Sequence, residues 1–283
     1  MKDTIFCDTF SLNFNGKLKE FKSPTVMGIL NVTPDSFFDG NKYKNEHSIL
    51  NRAEQILNEG ATFVDIGGYS SKPGANEISE KEESTRVCNA IELIIKEFPE
   101  TIISIDTFRS NIAQNAINCG ALMINDISAA ELDSKMPEVV IKNNVPYIIM
   151  HMQGTPQTMQ KKPQYLNPSD DVFKYLVNKV DSLKKEGVID LIIDPGFGFG
   201  KSVEHNYDIL NKLEIYKYID APILVGFSRK SMIYKLLENT PNEALNGTTT
   251  CNTIALTKGA KILRVHDVKE AVECVKITNM LSC

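Results

Sequence analysis

Eight short apolar runs recur along this chain, and a stretch with helical spacing follows each of them. The runs fall at 25–30, 61–66, 102–105, 121–124, 146–150, 190–193, 223–225 and 261–265. The helical stretches fall at 48–58, 79–98, 109–118, 134–142, 169–186, 203–213, 229–236 (with a second at 246–257) and 267–281. Such alternation builds a parallel sheet, because parallel strands need a crossover, and eight units allow the sheet to close on itself. The expected fold class is α/β, a (β/α)8 TIM barrel. A doubly wound open sheet would also gather polar strand ends, but it lacks the eightfold count. At 283 residues, with no Pro/Ser-rich linker, the chain reads as one domain over 1–283. Residues 4–22 read as an N-terminal hairpin capping the barrel, turning at Asn15-Gly16, where a type I′ turn needs two positive φ angles.

Polar residues stand where the runs end. Asn31, Asp65, Asp106, Asn125, Asp194, Ser228 with Lys230, and Arg264 with His266 lie at or just past the C-terminal ends of the apolar runs. In a barrel those ends converge on one face, where the fold places its chemistry. Carboxylates and an amide from separate strands (Asp106, Asn125, Asp194) suit a ligand edge carrying several N–H donors, such as a 2-amino-pyrimidinone. The competing reading is that an Asp at a strand end caps the next helix. Asp65 and Asp126 are read as structural. Arg264 and His266, two apart on one strand, share a side and offer donors to an anion near the last strands. Ser228-Arg229-Lys230-Ser231 adds cations and free N–H groups at the start of the seventh helix. His151 reads as a packed or rim residue rather than a base.

The run Asp194-Pro195-Gly196-Phe197-Gly198-Phe199-Gly200-Lys201 excludes two generic phosphate loops. A Walker A loop ending at Gly200-Lys201-Ser202 needs glycine at Pro195, and a dinucleotide fingerprint from Gly196 needs glycine at Lys201. A net charge of −5 excludes a broad nucleic-acid surface, so any anion site is local. Six cysteines show no C-x-x-C pair, and no histidines pair at metal spacing, so reduced thiols and no protein-built metal cage are expected. No apolar run approaches the ~18 residues of a membrane span, and Met1-Lys2-Asp3-Thr4 does not open a signal peptide. The expected location is the cytoplasm, with no membrane partner.

These motifs together resemble the dihydropteroate synthases of folate biosynthesis, a pterin-binding family. The matching stretches are 28–37, 65–68, 104–107, 124–127, 150–154, 194–201, 226–231 and 264–267, in the family's order. The resemblance implies a transferase that joins 4-aminobenzoate to 6-hydroxymethyl-7,8-dihydropterin diphosphate and releases diphosphate. It implies that Asp106, Asn125, Asp194 and Lys230 hold the pterin, between Met150 and Phe199. It implies that Asn31, Arg264 and His266 hold the diphosphate, with Ser71 and Lys72, and that Asn31 also touches the accompanying Mg²⁺. Phe37, Ser71, Lys72, Pro73, Phe199 and Ser231 would form the aminobenzoate pocket, with Asp35 contributing from the first loop and counted among the catalytic residues. Lids at 33–44 and 67–78 would exclude water. A homodimer and a monofunctional chain are also implied. The family usually carries Thr-Arg where this chain has Ser71-Lys72, and lysine lacks the planar fork of arginine. Two other readings remain: a pterin-binding methyltransferase, which has no use for a diphosphate clamp, and a catalytically silent pterin-binding paralogue.

Overall fold

The computed structural model describes residues 9–32, 42–69, 78–155, 159 and 163–281. An antiparallel hairpin comes first, β1 (Phe10–Phe14) and β2 (Lys17–Phe21). Its turn carries Asn15 at φ 51° and Gly16 at φ 87°, the pair of positive angles expected of that dipeptide. Eight parallel strands follow: β3 (Thr25–Asn31), β4 (Phe63–Gly67), β5 (Ile102–Asp106), β6 (Met123–Asp126), β7 (Tyr147–Met150), β8 (Leu191–Asp194), β9 (Leu224–Val225) and β10 (Ile262–Val265). Their order in the sheet is β8-β7-β6-β5-β4-β3-β10-β9. The seam between β8 and β9 is joined by one parallel bridge, Ile193 to Ile223, with the Ile193 N–H donating to the Pro222 carbonyl at 2.9 Å. The result is a nearly closed eight-stranded barrel.

The helices between strands are α1 (Lys42–Asn58), α2 (Glu80–Glu97), α3 (Ser110–Asn118), α4 (Met136–Asn143), α5 (Pro168–Glu186), α6 (Val203–Asn211), α7 (Ser231–Tyr234), α8 (Leu245–Thr257) and α9 (Val268–Asn279). Each expected helix is present, with shifted ends. The Glu82 N–H donates to the Ser79 Oγ as a capping residue requires, but the Glu82 side chain pairs forward with Arg86 instead of reaching back. The seventh helix is four residues long and begins after Arg229, whose φ of 56° cannot continue a right-handed helix. Arg229 turns away to Asp267, Nε–Oδ2 3.1 Å and Nη2–Oδ1 2.7 Å, so it does not join the anion site expected of it.

Every barrel strand is buried on both sides, which is why the runs read as nearly continuous apolar sequence. Outward residues such as Val64, Ile66, Ile103, Ile105, Ile149 and Val265 pack under helical residues including Ile56, Val87, Ile91, Ile112 and Leu176. Inward residues form a second cluster, one from each strand: Met27, Phe63, Ile102, Met123, Ile148, Ile192, Leu224 and Ile262. The hairpin contributes Leu12, Phe14 and Phe21 to that cluster and so seals the N-terminal end. Phe21 lies 5.4 Å from Phe63, centroid to centroid. Two polar bonds seat the hairpin, Asn13 N–H to Asp190 Oδ2 at 2.7 Å and Asn15 N–H to the Asn144 carbonyl at 2.9 Å.

Candidate active site

Side chains alternate along a strand, so the residue two positions beyond each plug residue points into the same barrel. Those residues are Ile29, Asp65, Ser104, Asn125, Met150, Asp194, Gly226 and Arg264. The barrel therefore changes from apolar to polar in one step along its axis. Above this layer a cavity opens at the C-terminal end, partly continuous with solvent. Ile29, Asn125, Met150, Asp194, Gly226 and Arg264 line it from the polar layer. Asp106, Ile127, Ser228 and His266 line it from two residues further on, and Phe199 and Lys230 from the loops after β8 and β9.

Charges are arranged in two groups. On one side the Arg264 Nε donates to Asp65 Oδ2 and its Nη2 to Asp106 Oδ2, each at 2.6 Å, and the Asn125 Nδ2 reaches the same Asp65 oxygen at 3.0 Å. The Asp106 carboxyl is raised to about 7, by burial first and by the Asp65 charge, against the pull of Arg264. On the other side Asp194 accepts the Gly196 N–H at 2.7 Å. Its carboxyl is raised by burial and lowered by the nearby Lys230 ammonium. Lys230 donates to the Phe197 carbonyl at 2.6 Å and lies 4.6 Å from the centre of the Phe199 ring, and burial lowers its pKa to about 8. Burial and the Arg264 charge lower His266 to about 4, so its ring is neutral near pH 7 and offers a single N–H.

The loop after Asp194 is threaded too closely to accept side chains. Gly196, at φ 72°, passes so near the His151 carbonyl oxygen that a Cβ would overlap it, and Gly200, at φ 59°, has the Gln153 carbonyl 2.7 Å from the same position. Beneath the loop sits Lys201, 4% exposed, with Nζ within 2.8–3.2 Å of the carbonyls of Gly196, Phe199 and His151 and 3.0 Å from His151 Nδ1. Burial drives the Lys201 pKa to about 7 and that of His151 to about 2. His151 packs edge-on to Tyr175 and is a neutral acceptor for Lys201, not a base facing the cavity.

Of the residues singled out from sequence, Asp106, Asn125, Met150, Asp194, Phe199, Lys230, Arg264 and His266 meet at this one cavity. Asn31 stands at its rim, since a methyl group on Gly67 would meet Asn31 Oδ1 at 3.4 Å and Asp106 Oδ2 at 3.7 Å. Ser231 opens α7, next to Lys230. Asp35, Phe37, Ser71, Lys72 and Pro73 lie outside the described residues, as does most of both expected lids. Asp126 is buried and accepts from Ser128 N, Ser128 Oγ, Ala130 N and Tyr147 Oη, each at 2.7 Å, a structural role as read. Asp65, expected to be structural as well, stands fully buried in the polar layer outside the cavity lining, where it holds Arg264 and Asn125. Its strand parity, in step with Phe63, was the signal. Lys201 carries no such signal, because three of its four partners are carbonyls.

Among the described residues, no group of three or more His, Cys, Asp or Glu side chains could hold a metal. Asn31 offers one hard amide oxygen near Gly67, which fits Mg²⁺ carried in on phosphate oxygens and keeping its waters, rather than an ion caged by the protein.

Residues 27–266 match the family of pterin-binding enzymes. The chain is 41% identical over 264 residues to the dihydropteroate synthase of Escherichia coli strain K12, covering 93% of each chain, and 39% identical to that of Bacillus subtilis, covering 90% and 88%. Its structure is similar to that of Xanthomonas albilineans dihydropteroate synthase in complex with 7,8-dihydropteroate, with a TM-score of 0.86, 32% identity, and 97% and 99% of the two chains covered. The Yersinia pestis dihydropteroate synthase in complex with a sulfonamide drug gives 0.88, 39%, and 96% and 98%.

Proposed function

The chain belongs to the pterin-binding enzyme family, and from that premise we propose that it is a transferase making 7,8-dihydropteroate in folate biosynthesis. The observation that carries this reading is the two-sided cavity: acceptors and an amide on Asp106, Asn125 and Asp194 within reach of cations at its edge, Arg264 and Lys230. A pterin edge presents several N–H donors, and Asp194 and Asp106 accept them while the Asn125 amide reads the ring between. Met150 and Phe199 sandwich the flat ring, and Lys230 donates to a ring acceptor. The diphosphate then lies toward Arg264, His266 and Asn31, where three N–H groups of Arg264 remain after its two carboxylate bonds.

The reaction breaks the C–O bond of the pterin methylene and forms a C–N bond to 4-aminobenzoate, with loss of one proton from the amine. Departure of diphosphate leaves positive charge on the methylene, which the buried carboxylate of Asp106 stabilises from beside the ring. Arg264 and His266 receive the growing negative charge of the leaving group. The neutral aryl amine is nucleophilic already, so no strong base is needed, in keeping with a neutral His151 that pairs with Lys201 outside the cavity lining. Asn31 would hold a Mg²⁺ arriving with the substrate, and that ion would supply positive charge to offset part of the diphosphate's. Ser71, Lys72, Pro73, Phe37, Asp35 and Ser231 supply the aminobenzoate side of the site in this proposal.

Diphosphate release tests the reading. It should require both hydroxymethyl-dihydropterin diphosphate and 4-aminobenzoate, and should stop when either is omitted. Pterin binding without release would identify a silent paralogue, and methyl transfer from a methylated folate would identify a methyltransferase. A homodimer in the cytoplasm completes the proposal; no described helix is long and apolar enough to cross a membrane, and sedimentation velocity measures the oligomer.

A further inference from the structure

Asp65 has no place in the ligand set above, since it does not line the cavity, yet it is fully buried directly under it. One of its oxygens, Oδ2, accepts both the Arg264 Nε at 2.6 Å and the Asn125 Nδ2 at 3.0 Å. The other, Oδ1, is buried without a hydrogen-bond partner, as is the Oγ of Ser104, its register neighbour on β5. We infer that Asp65 is a positioning residue that sets the polarity of the pterin-reading amide and the direction of the anion-reading guanidinium at once. This inference rests on the pterin and diphosphate reading of the cavity.

The chemistry follows from what each group can donate. A carboxylate beside an arginine is an acceptor, so the Asn125 atom facing it must be the NH₂ end. The amide is planar, and its oxygen is therefore turned away from Asp65, toward the cavity that Asn125 lines. Without an acceptor at Asp65 Oδ2, either end of that amide could face the ligand, and a pterin N–H would meet an N–H in half of the arrangements. Arg264 has five N–H donors in a rigid fork. Asp65 takes the single Nε–H and Asp106 takes one from Nη2, which leaves the Nη1/Nη2 edge for an anion. Losing the Nε anchor frees the fork to swing about Asp106. One buried oxygen thus couples the two halves of the site, on strands β6 and β10, which do not neighbour one another in the sheet.

The test uses two replacements of similar shape. Asp65→Leu removes the acceptor. Asp65→Asn removes the charge but can keep an oxygen at the Oδ2 position, with its NH₂ at the unpartnered Oδ1 position. Calorimetry would measure 6-hydroxymethylpterin and Mg²⁺-diphosphate separately on the full chain. Asp65→Leu should weaken both by about tenfold or more, and Asp65→Asn should hold pterin affinity within about threefold of the unmodified chain. Should Asp65→Leu fail to fold because Arg264 is left with one partner, Asp65→Leu with Arg264→Met removes both charges. Its pterin affinity should still fall about tenfold below that of Arg264→Met alone. Pterin binding by Asp65→Leu within twofold of the unmodified chain, equal losses in the Leu and Asn variants, or no loss in the double variant relative to Arg264→Met would each overturn the inference. Failure of the unmodified chain to bind either ligand would instead overturn the functional reading beneath it.

Discussion

The two ends of this barrel are made by the same eight strands, two residues apart, and they do opposite things. At the N-terminal end every strand contributes an apolar side chain, and the hairpin drives Leu12, Phe14 and Phe21 into them. At the C-terminal end the same strands present Asp65, Asn125, Asp194 and Arg264, and polar groups lie buried in place of a plug. The first arrangement is stabilising in itself, since burying each large side chain contributes about 1.5–3 kcal/mol. The second is costly, which is why Asp106 and Asp194 are raised and Lys230 and Lys201 are lowered, all by burial. Stability is stored at one end and used at the other to hold charges where water would otherwise relax them.

That division can be broken experimentally. Phe63→Ala in the plug should destabilise folding by about 3–5 kcal/mol, measured by denaturant unfolding, while pterin affinity in the folded fraction stays within about threefold. A large loss of affinity would show that the two ends are not independent. Next in size, Asp194→Ala should cost about 3 kcal/mol or more in pterin binding by calorimetry, because paired ring donors lose their acceptor. Near-normal affinity would remove Asp194 from the site. Arg264→Ala and His266→Ala should weaken the diphosphate-bearing substrate by about tenfold more than the free hydroxymethylpterin, their partner being the leaving group. Equal losses for both ligands would return these residues to structural roles.

The smallest effect is a pH dependence. Asp106 accepts ring N–H groups only as a carboxylate, so with its pKa near 7 pterin affinity should rise through that value and level off. Lys230 donates best while charged, so affinity should fall again above about 8. The optimum lies between them, and Asp106→Asn should flatten the acid limb. For stability the sign is opposite on that limb: a carboxyl raised from 3.8 contributes fully at pH below its unfolded value and loses that contribution as pH climbs through 7. A thermal-unfolding series across pH 4–8 on both proteins measures that loss directly.

Much of this was legible in the residues. All eight strands were, because a doubly buried parallel strand leaves a short apolar run with a polar residue closing it. The strand ends extend slightly further than the apolar runs, so that Asn31, Asp106 and Asp194 are the last residues of their strands rather than the first of their loops. What stayed hidden was pairing across distance. Asp65 and Arg264 are separated by 199 residues, Asp106 and Arg264 by 158, and nothing local distinguishes a carboxylate that grips an arginine from one that caps a helix. Lys201 is hidden for another reason, since three of its four partners are main-chain oxygens that any residue would supply. The seventh helix is shorter than its spacing predicts, because the spacing is helical from Arg229 onward while the backbone at Arg229 is left-handed, held by the ion pair with Asp267 and by the Thr248 hydroxyl that receives its N–H.

The pairing of β3 with β10 fixes a sequence of events during folding. One edge of β3 pairs with β4 close by in sequence, but on its other edge residues 25–28 find their partners at 262–265, so the barrel cannot shut until nearly all of the chain is available. The hairpin is formed from the earliest part of that chain, and its seat includes Leu224 and Ile262, from the last two strands. Its aromatic face must therefore wait, exposed, through most of synthesis, together with the open edge of β3. Such delayed, non-local closure is slow and leaves strand edges and apolar surface in reach of other chains. A chain truncated before residue 262 would keep both surfaces uncovered, and would be recognised by its tendency to aggregate before any loss of catalysis could be measured.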